Sequence, residues 1–169
     1  MTVYERKVCV LGAAGAGKTS LVRRFVEGVF SAGYPSTIGV KIDRKTIVTG
    51  PHTVHLAVWD IEGETPTREV RLRYLRGTAG IILVVDGTEP ESLAVALGLH
   101  AKAVDRIPDI PFIVALNKAD MTGSWRLTDL DLEHIGRIAL ATLRTSALTG
   151  VGVEQLFEEL ASRLVPPGG

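Results

Sequence analysis

One stretch constrains this chain more than any other: Lys7-Val8-Cys9-Val10-Leu11-Gly12-Ala13-Ala14-Gly15-Ala16-Gly17-Lys18-Thr19-Ser20. An apolar run leads into Gly12-x-x-x-x-Gly17-Lys18-Thr19, and Leu21, Val22, Phe25 and Val26 follow at helical spacing. Strand, glycine-rich loop and helix in that order make a phosphate-binding loop. Glycines let the backbone curl until successive N–H groups point inward as an anion nest. The helix starting near Lys18 adds its positive end. In such a loop Lys18 reaches the β- and γ-phosphates, and the Thr19 hydroxyl holds Mg²⁺. A chance glycine turn is the competing reading, and the patterns on either side weigh against it.

The rest of the chain alternates strands with helices. Strands are predicted over residues 8–11, 40–48, 54–60, 81–86, 112–116 and 141–144, and helices over 18–27, 90–106, about 129–138 and 151–164. Thr49-Gly50-Pro51-His52 is a turn cluster, so the second and third strands pair as an antiparallel hairpin. Residues 30–39 read as a loop, and 63–75 as a loop followed by an irregular helix. Gly28 closes the first helix, and Thr128 or Asp129 caps the third. This order predicts a mostly parallel sheet covered on both faces, with its ligand beyond the carboxyl ends of the strands. There Gly12 to Thr19, Asp60, Asn117 to Asp120 and Ser146-Ala147 share one edge.

Charge excludes some partners. Lys and Arg number 19 and so do Asp and Glu, so no broad basic surface advertises nucleic acid or an anionic membrane. A phosphate ligand must be captured locally. The single cysteine, Cys9, rules out an internal disulfide and reads as an inert core residue. His52, His55, His100 and His134 show no ligand spacing. No apolar run approaches a bilayer span. The N-terminus does not read as a signal peptide, Thr2 excludes myristoylation, and the tail offers no cysteine to prenylate. These features predict a cytoplasmic protein with no direct membrane anchor and a frayed tail over 165–169.

Two further motifs fall on the loaded edge. Asp60 ends a strand in Trp59-Asp60-Ile61-Glu62-Gly63 and can serve Mg²⁺, because hard cations take oxygen ligands. Gly63 brings its N–H close to a γ-phosphate with no side chain in the way; a strand-end turn explains the pattern equally well. In Asn117-Lys118-Ala119-Asp120 the carboxylate can accept two N–H bonds from the guanine edge, where adenine offers no such donor pair. A polar loop or helix cap is the alternative. The backbone of Ser146-Ala147 can donate to the guanine oxygen.

Taken together the chain resembles a small GTPase of the Ras superfamily, nearest its Rab-like branch. The resemblance is carried by residues 12–19, Tyr34-Pro35-Ser36-Thr37-Ile38-Gly39-Val40, Trp59 to Gly63, Asn117 to Asp120 and Thr145-Ser146-Ala147. Arg76 to Asp86 and Thr149 to Phe157 add to it. It implies an α/β P-loop NTPase fold, a single G domain over 1–169. Six strands, mostly parallel with one antiparallel, carry helices on both faces. It implies a switch that binds GTP or GDP with Mg²⁺ and hydrolyses GTP, with Lys18, Gly63 and the residue at 64 at the reacting end. Thr37 would join Thr19 and Asp60 around the metal, and Tyr34 would close over the phosphates. Phe30 would stack edge-on against guanine, or simply cover the loop, and Lys118 would lie along the base plane. Protein effectors and an activating or exchange protein would dock on residues 30–40 and 63–76, which loss of the γ-phosphate releases.

Four positions depart from the family pattern. Glu64 stands where a Gln normally orients the attacking water, and Glu62 where Ala is usual. Either Glu64 orients water through its carboxylate, or hydrolysis is slow without a partner's arginine, or both glutamates turn to solvent. Slow intrinsic hydrolysis is the favoured expectation. Ala14 replaces a glycine, and Leu148 replaces the Lys that usually follows Ser146-Ala147. Arg68, Arg71 and Arg73 read as a solvated helix face or a docking surface for an acidic partner. The missing cysteine tail suits a prokaryotic member. Two other classes compete: a GTP-dependent adaptor with negligible turnover, and a small P-loop phosphotransferase, against which Asn117 to Asp120 argues.

Overall fold

The computed structural model describes residues 1–31 and 37–167. Its strands are β1 (Thr2–Gly12), β2 (Val40–Thr49), β3 (His52–Ile61), β4 (Gly80–Asp86), β5 (Phe112–Asn117) and β6 (Ala141–Arg144). Its helices are α1 (Lys18–Glu27), α2 (Pro90–Arg106), α3 (Asp129–Ile138) and α4 (Val153–Arg163), with single 3₁₀ turns at Leu72–Leu75 and Thr122–Ser124. The strands form one sheet in the order β2-β3-β1-β4-β5-β6, antiparallel between β2 and β3 and parallel elsewhere.

Period-two alternation explains why helices cover both faces. Val8 and Val10 of β1 join Ile82 and Val84 of β4 in a core closed by Leu21, Val22 and Phe25 of α1 and Leu156, Phe157 and Leu160 of α4. Their neighbours Cys9, Leu11, Ile81, Leu83 and Val85 turn the other way, against Leu93, Ala96, Leu99 and Ala103 of α2 and Ile135 of α3. Every residue of β4 and β5 is buried, as a central parallel strand requires. The Phe25 and Phe157 rings stack in parallel with centroids 3.8 Å apart, joining the first helix to the last. Cys9 is a core residue whose burial pushes its thiol up to about 11, and its Sγ lies 2.9 Å from Thr78 Oγ1. Trp125 packs into the α2 side of the core.

Three boundaries differ from expectation. β1 begins at Thr2, six residues early, because it runs beside β3 from the Thr2–His52 pairing onward. The charges of Arg6 and Lys7 hid this, yet both side chains terminate other elements. Arg6 Nε donates to Leu164 O (2.8 Å) below α4, and Lys7 Nζ to Tyr74 O (2.5 Å) and Arg76 O (2.8 Å). α4 starts at Val153, since Gly152 at φ 73° precedes it with no room for a side chain: a Cβ would stand 2.2 Å from Arg144 O. The tail does not come loose at residue 165, because Val165 is partly buried against the core. Thr128 is the cap of α3. Its hydroxyl accepts from Asp131 N–H (3.2 Å), and the Asp131 carboxylate accepts from Thr128 N–H (2.8 Å).

Among the described residues no helix is long and apolar enough to cross a membrane.

Candidate functional site

A parallel sheet delivers the C-terminal ends of its strands to one edge, where a cleft of about 430 Å³ opens. Ala14, Gly15, Gly17, Lys18, Thr19 and Ser20 line it from the loop between β1 and α1. Phe30 and Thr37 line it from the α1–β2 connection and Gly63 from the β3–β4 connection, and Asn117, Lys118, Asp120, Ala147 and Leu148 from the end of β5 and beyond β6. Three of the four separated sequence stretches therefore share one cavity directly, and Asp60 lies buried while Gly63 after it stands on the wall.

The loop after β1 curls through two residues of positive φ, Gly15 at 81° and Gly17 at 96°. A Cβ on Gly17 would stand 2.3 Å from Asn117 Nδ2, so both conformation and space demand glycine there. Lys18 folds back over the loop, its Nζ donating to Ala13 O (3.0 Å) and Gly12 O (3.3 Å). Burial lowers its amine to about 8; Asp60 opposes that shift and Arg68 adds to it. Gly12 and Ala16 lie below the cleft rather than on its wall. The Ala16 carbonyl accepts from Asn117 Nδ2 (3.0 Å).

Three oxygens gather beside Lys18. Thr19 Oγ1 donates to Asp60 Oδ2 (2.7 Å), Thr37 Oγ1 donates to the same oxygen (3.2 Å), and the two hydroxyls are 2.7 Å apart. Asp60 is 1% exposed, and its Oδ1 is buried without a hydrogen-bond partner. Burial raises its pKa, against the hydroxyl bonds and the Lys18 charge. Two hydroxyls and a carboxylate with one buried, unpartnered oxygen form a donor set suited to a hard divalent cation. No cluster of three His, Cys, Asp or Glu side chains competes for a metal among the described residues.

At the far end Asn117 is a strut. Its Oδ1 accepts from Thr145 Oγ1 (3.2 Å), so one amide ties together the loops after β1, β5 and β6. Lys118, in the left-handed region at φ 64°, donates to Asp86 Oδ2 (2.7 Å) and Gly15 O (3.0 Å). Buried Ser146 donates to Asp120 Oδ1 (2.7 Å) and accepts from Thr149 N–H (3.1 Å). This orients the Asp120 carboxylate. Phe30 lines the cleft and packs against the core. Leu148 is half-exposed on the rim. Tyr34 lies outside the described residues.

The glutamates take neither of the positions anticipated from sequence. Neither turns to solvent, and Glu64 does not line the cleft. The Glu64 backbone zips to the phosphate loop, with Ala14 N–H donating to Glu64 O (2.9 Å) and Glu64 N–H to Gly12 O (3.2 Å). That zipper turns its carboxylate to the α2 side, 3.5 Å from Lys102 Nζ, into a second cavity shared with Ala13, Pro66, Glu89 and Glu91. Glu62 pairs with Arg68 (3.1 Å) and accepts from Gly39 N–H (3.3 Å). Sequence reasoning missed Arg68 and Met121 in the cleft and Asp86 behind Lys118. Asp86 was findable, as the one charge ending an apolar strand. Arg68 was not, because nothing in an arginine-rich stretch marks which member faces inward.

Comparison with known proteins agrees with this geometry. The family model of the Ras family matches residues 7–165. The chain is 35% identical over 161 residues to human Ras-related protein Rab-4B, covering 94% of this chain and 76% of the relative. It is 34% identical over 157 residues to Ras-related protein Rab-4 of Dictyostelium discoideum, covering 92% and 77%. Mouse Ras-related protein Rab-31 is 31% identical over 171 residues, covering 100% and 87%.

Proposed function

This chain belongs to the Ras family of GTP-binding, GTP-hydrolysing switches, and from that premise we propose that it works as one G domain over residues 1–169 with Mg²⁺ and hydrolyses GTP slowly when alone. One observation carries the reading. Lys18, Thr19 and Thr37 line the same cleft as Asp120, with Asp60 bonded to the two hydroxyls and Ser146 bonded to Asp120. A guanosine polyphosphate presents anionic oxygens at one end and a paired N–H edge at the other.

In this reading residues 12–20 wrap the phosphates with backbone N–H groups, and Lys18 neutralises their charge. Thr19, Thr37 and Asp60 hold Mg²⁺, which screens the phosphate charge and polarises the terminal P–O bonds. Asp120 accepts the two guanine N–H bonds, while Lys118 and Phe30 flank the base with Ala147 and Leu148. Gly63 stays a glycine because a Cβ would stand 2.6 Å from Ala14 Cα and 2.7 Å from Lys18 Nζ. The slow rate is supported by Glu64, whose carboxylate lines the other cavity, 3.5 Å from Lys102 Nζ and with Oε1 not hydrogen-bonded, and is no counterpart of a water-orienting amide. The same observation favours the second reading, an adaptor with negligible turnover.

Protein partners would read residues 30–40 and 63–76. Glu62 N–H donates to Gly39 O (2.8 Å), and the Glu62 side chain accepts from Gly39 N–H, so the two segments are joined at their bases. Ile38 beside that junction is 89% exposed.

Competition of GTP, GDP and ATP for the purified protein, with and without Mg²⁺, tests the reading. Guanine nucleotides should win, and preference for ATP would reject it. Single-turnover phosphate release then separates a slow hydrolase from the adaptor.

A further inference from the structure

Arg68 occupies the cleft although its neighbours in sequence face water. Thr65-Pro66-Thr67-Arg68 closes on itself, with Thr65 N–H donating to Arg68 O (2.9 Å) and Arg68 N–H to Thr65 O (3.2 Å). Proline at the second position presets the φ this turn needs. The reversal returns the Arg68 side chain to the cleft wall beside Thr37, Gly63 and Lys18. Two anchors hold it there: Nη1 lies 3.1 Å from Glu62 Oε1, and Nη2 donates to Gly63 O at 3.1 Å. Gly63 itself packs against Lys18. The guanidinium and the Lys18 amine thus flank Gly63.

Charge on the cleft wall beside Gly63 is positive, the Asp60 carboxylate being buried behind Thr19 and Thr37. Glu64 lines the other cavity, and Glu62 is tied to Arg68 and Gly39. Lys18 and Arg68 are the charged side chains lining the cleft there, both positive. The Glu62 anchor is a single carboxylate contact on a half-exposed arginine, so little is lost by exchanging it for a more highly charged acceptor. A terminal phosphate is such an acceptor, and a planar guanidinium fork suits it.

We infer that Arg68 is a catalytic residue supplied by this chain itself: with GTP bound, its guanidinium exchanges Glu62 for the terminal phosphate and stabilises the charge that develops there during hydrolysis. The inference rests on the GTP-hydrolysing reading above. In the step, a water oxygen bonds to the γ-phosphorus. The bond to the β–γ bridging oxygen breaks with its electron pair staying on GDP, and the water proton leaves with the phosphate. Arg68 gives no proton; it donates N–H bonds to oxygens gaining negative charge, the role arginine plays when supplied in cis or by a partner. It does not replace the missing water-orienting glutamine, so the rate stays low but depends on Arg68.

The test compares wild type, Arg68→Ala and Arg68→Lys in single-turnover GTP hydrolysis, with GDP affinity measured in parallel. Arg68→Ala should hydrolyse at least about tenfold more slowly with GDP affinity unchanged, and added methylguanidinium should restore part of the rate. Arg68→Lys, lacking the fork, should fall between the two. Binding of GDP with aluminium fluoride, a mimic of the transferring phosphoryl group, should weaken in Arg68→Ala. An Arg68→Ala rate within twofold of wild type overturns the inference, as does a loss matched by GDP affinity and unrescued by methylguanidinium. Wild type that binds GTP without hydrolysing it overturns the inference while leaving nucleotide binding intact. Wild type that binds no guanine nucleotide overturns both.

Discussion

Asp120 and Lys18 both line the cleft, and each makes a separate prediction. The Ser146 bond leaves the Asp120 carboxylate oriented with one oxygen uncommitted. Asp120→Asn converts an acceptor into a partial donor, so it should lose guanine and gain xanthine, whose edge carries an oxygen in place of the amine. Competition between GDP and XDP checks this; an unchanged preference for GDP would remove Asp120 from base selection. Lys18 makes a pH prediction. Its folded pKa of about 8 lies below the ordinary 10.5, so the empty protein holds this amine partly neutral above pH 8. A bound polyphosphate favours the charged form. Binding must therefore take up a proton, and affinity should fall as pH rises from about 8 toward 10.5, while staying flat well below that window. Calorimetry in buffers of differing ionisation enthalpy reads the uptake directly, and proton release on binding would contradict it.

The elements divide into those that make the core and those that aim the site. α3 is largely of the first kind, with Ile135 buried and a reciprocal cap at Thr128 and Asp131. Thr128→Ala should destabilise the protein by about 1 kcal/mol and leave GDP affinity unchanged, as urea denaturation and a binding titration would show; a change in affinity would mean that α3 reaches the cleft. α1 is of both kinds, since Leu21, Val22 and Phe25 are buried in the core. Its N-terminal residues Lys18, Thr19 and Ser20 line the cleft, while Arg23 further along pairs with Glu27 and with Asp43 of β2. Most helix limits were readable from spacing and punctuation: Gly28 closes α1 at φ 71°, and α2 runs over the expected Pro90–Arg106. β1 was under-read because its first half is only half-buried, so its charged residues satisfy solvent and neighbouring carbonyls at once. Residues 63–75 carry no period because backbone bonds to the phosphate loop and a local turn hold the first half, while Val70 and Leu75 enter the core without a regular helix to space them.

Across the whole molecule, ligand and fold are coupled. The Asn117 strut and the Thr19–Asp60 contacts join loops from distant strands, so occupying the cleft should tighten the entire edge. GDP with Mg²⁺ at a hundred times its Kd should stabilise the protein by about 2.7 kcal/mol, seen as a raised melting temperature. A chelator should reverse part of that gain, because Asp60 Oδ1 returns to being buried without a partner. A melting temperature indifferent to the chelator would count against the proposed cation.

Local information was enough to establish the phosphate loop, the alternation of strand and helix, and the four motifs at the strand ends. Each depends on residue type at short spacing: glycines that admit positive φ, apolar runs that must be buried, a lysine and threonine opening a helix. Which side chains would meet across the cleft was beyond that information. Glu62 and Glu64 are two residues apart and chemically the same, yet one binds Arg68 at the cleft wall and the other Lys102 in the next cavity. Their directions follow from backbone bonds to Gly39, Gly12 and Ala14, and those partners arrive only when the sheet assembles. Arg68 reaches the cleft wall for the same reason. Charge partners are chosen by through-space distance, which chain order does not encode.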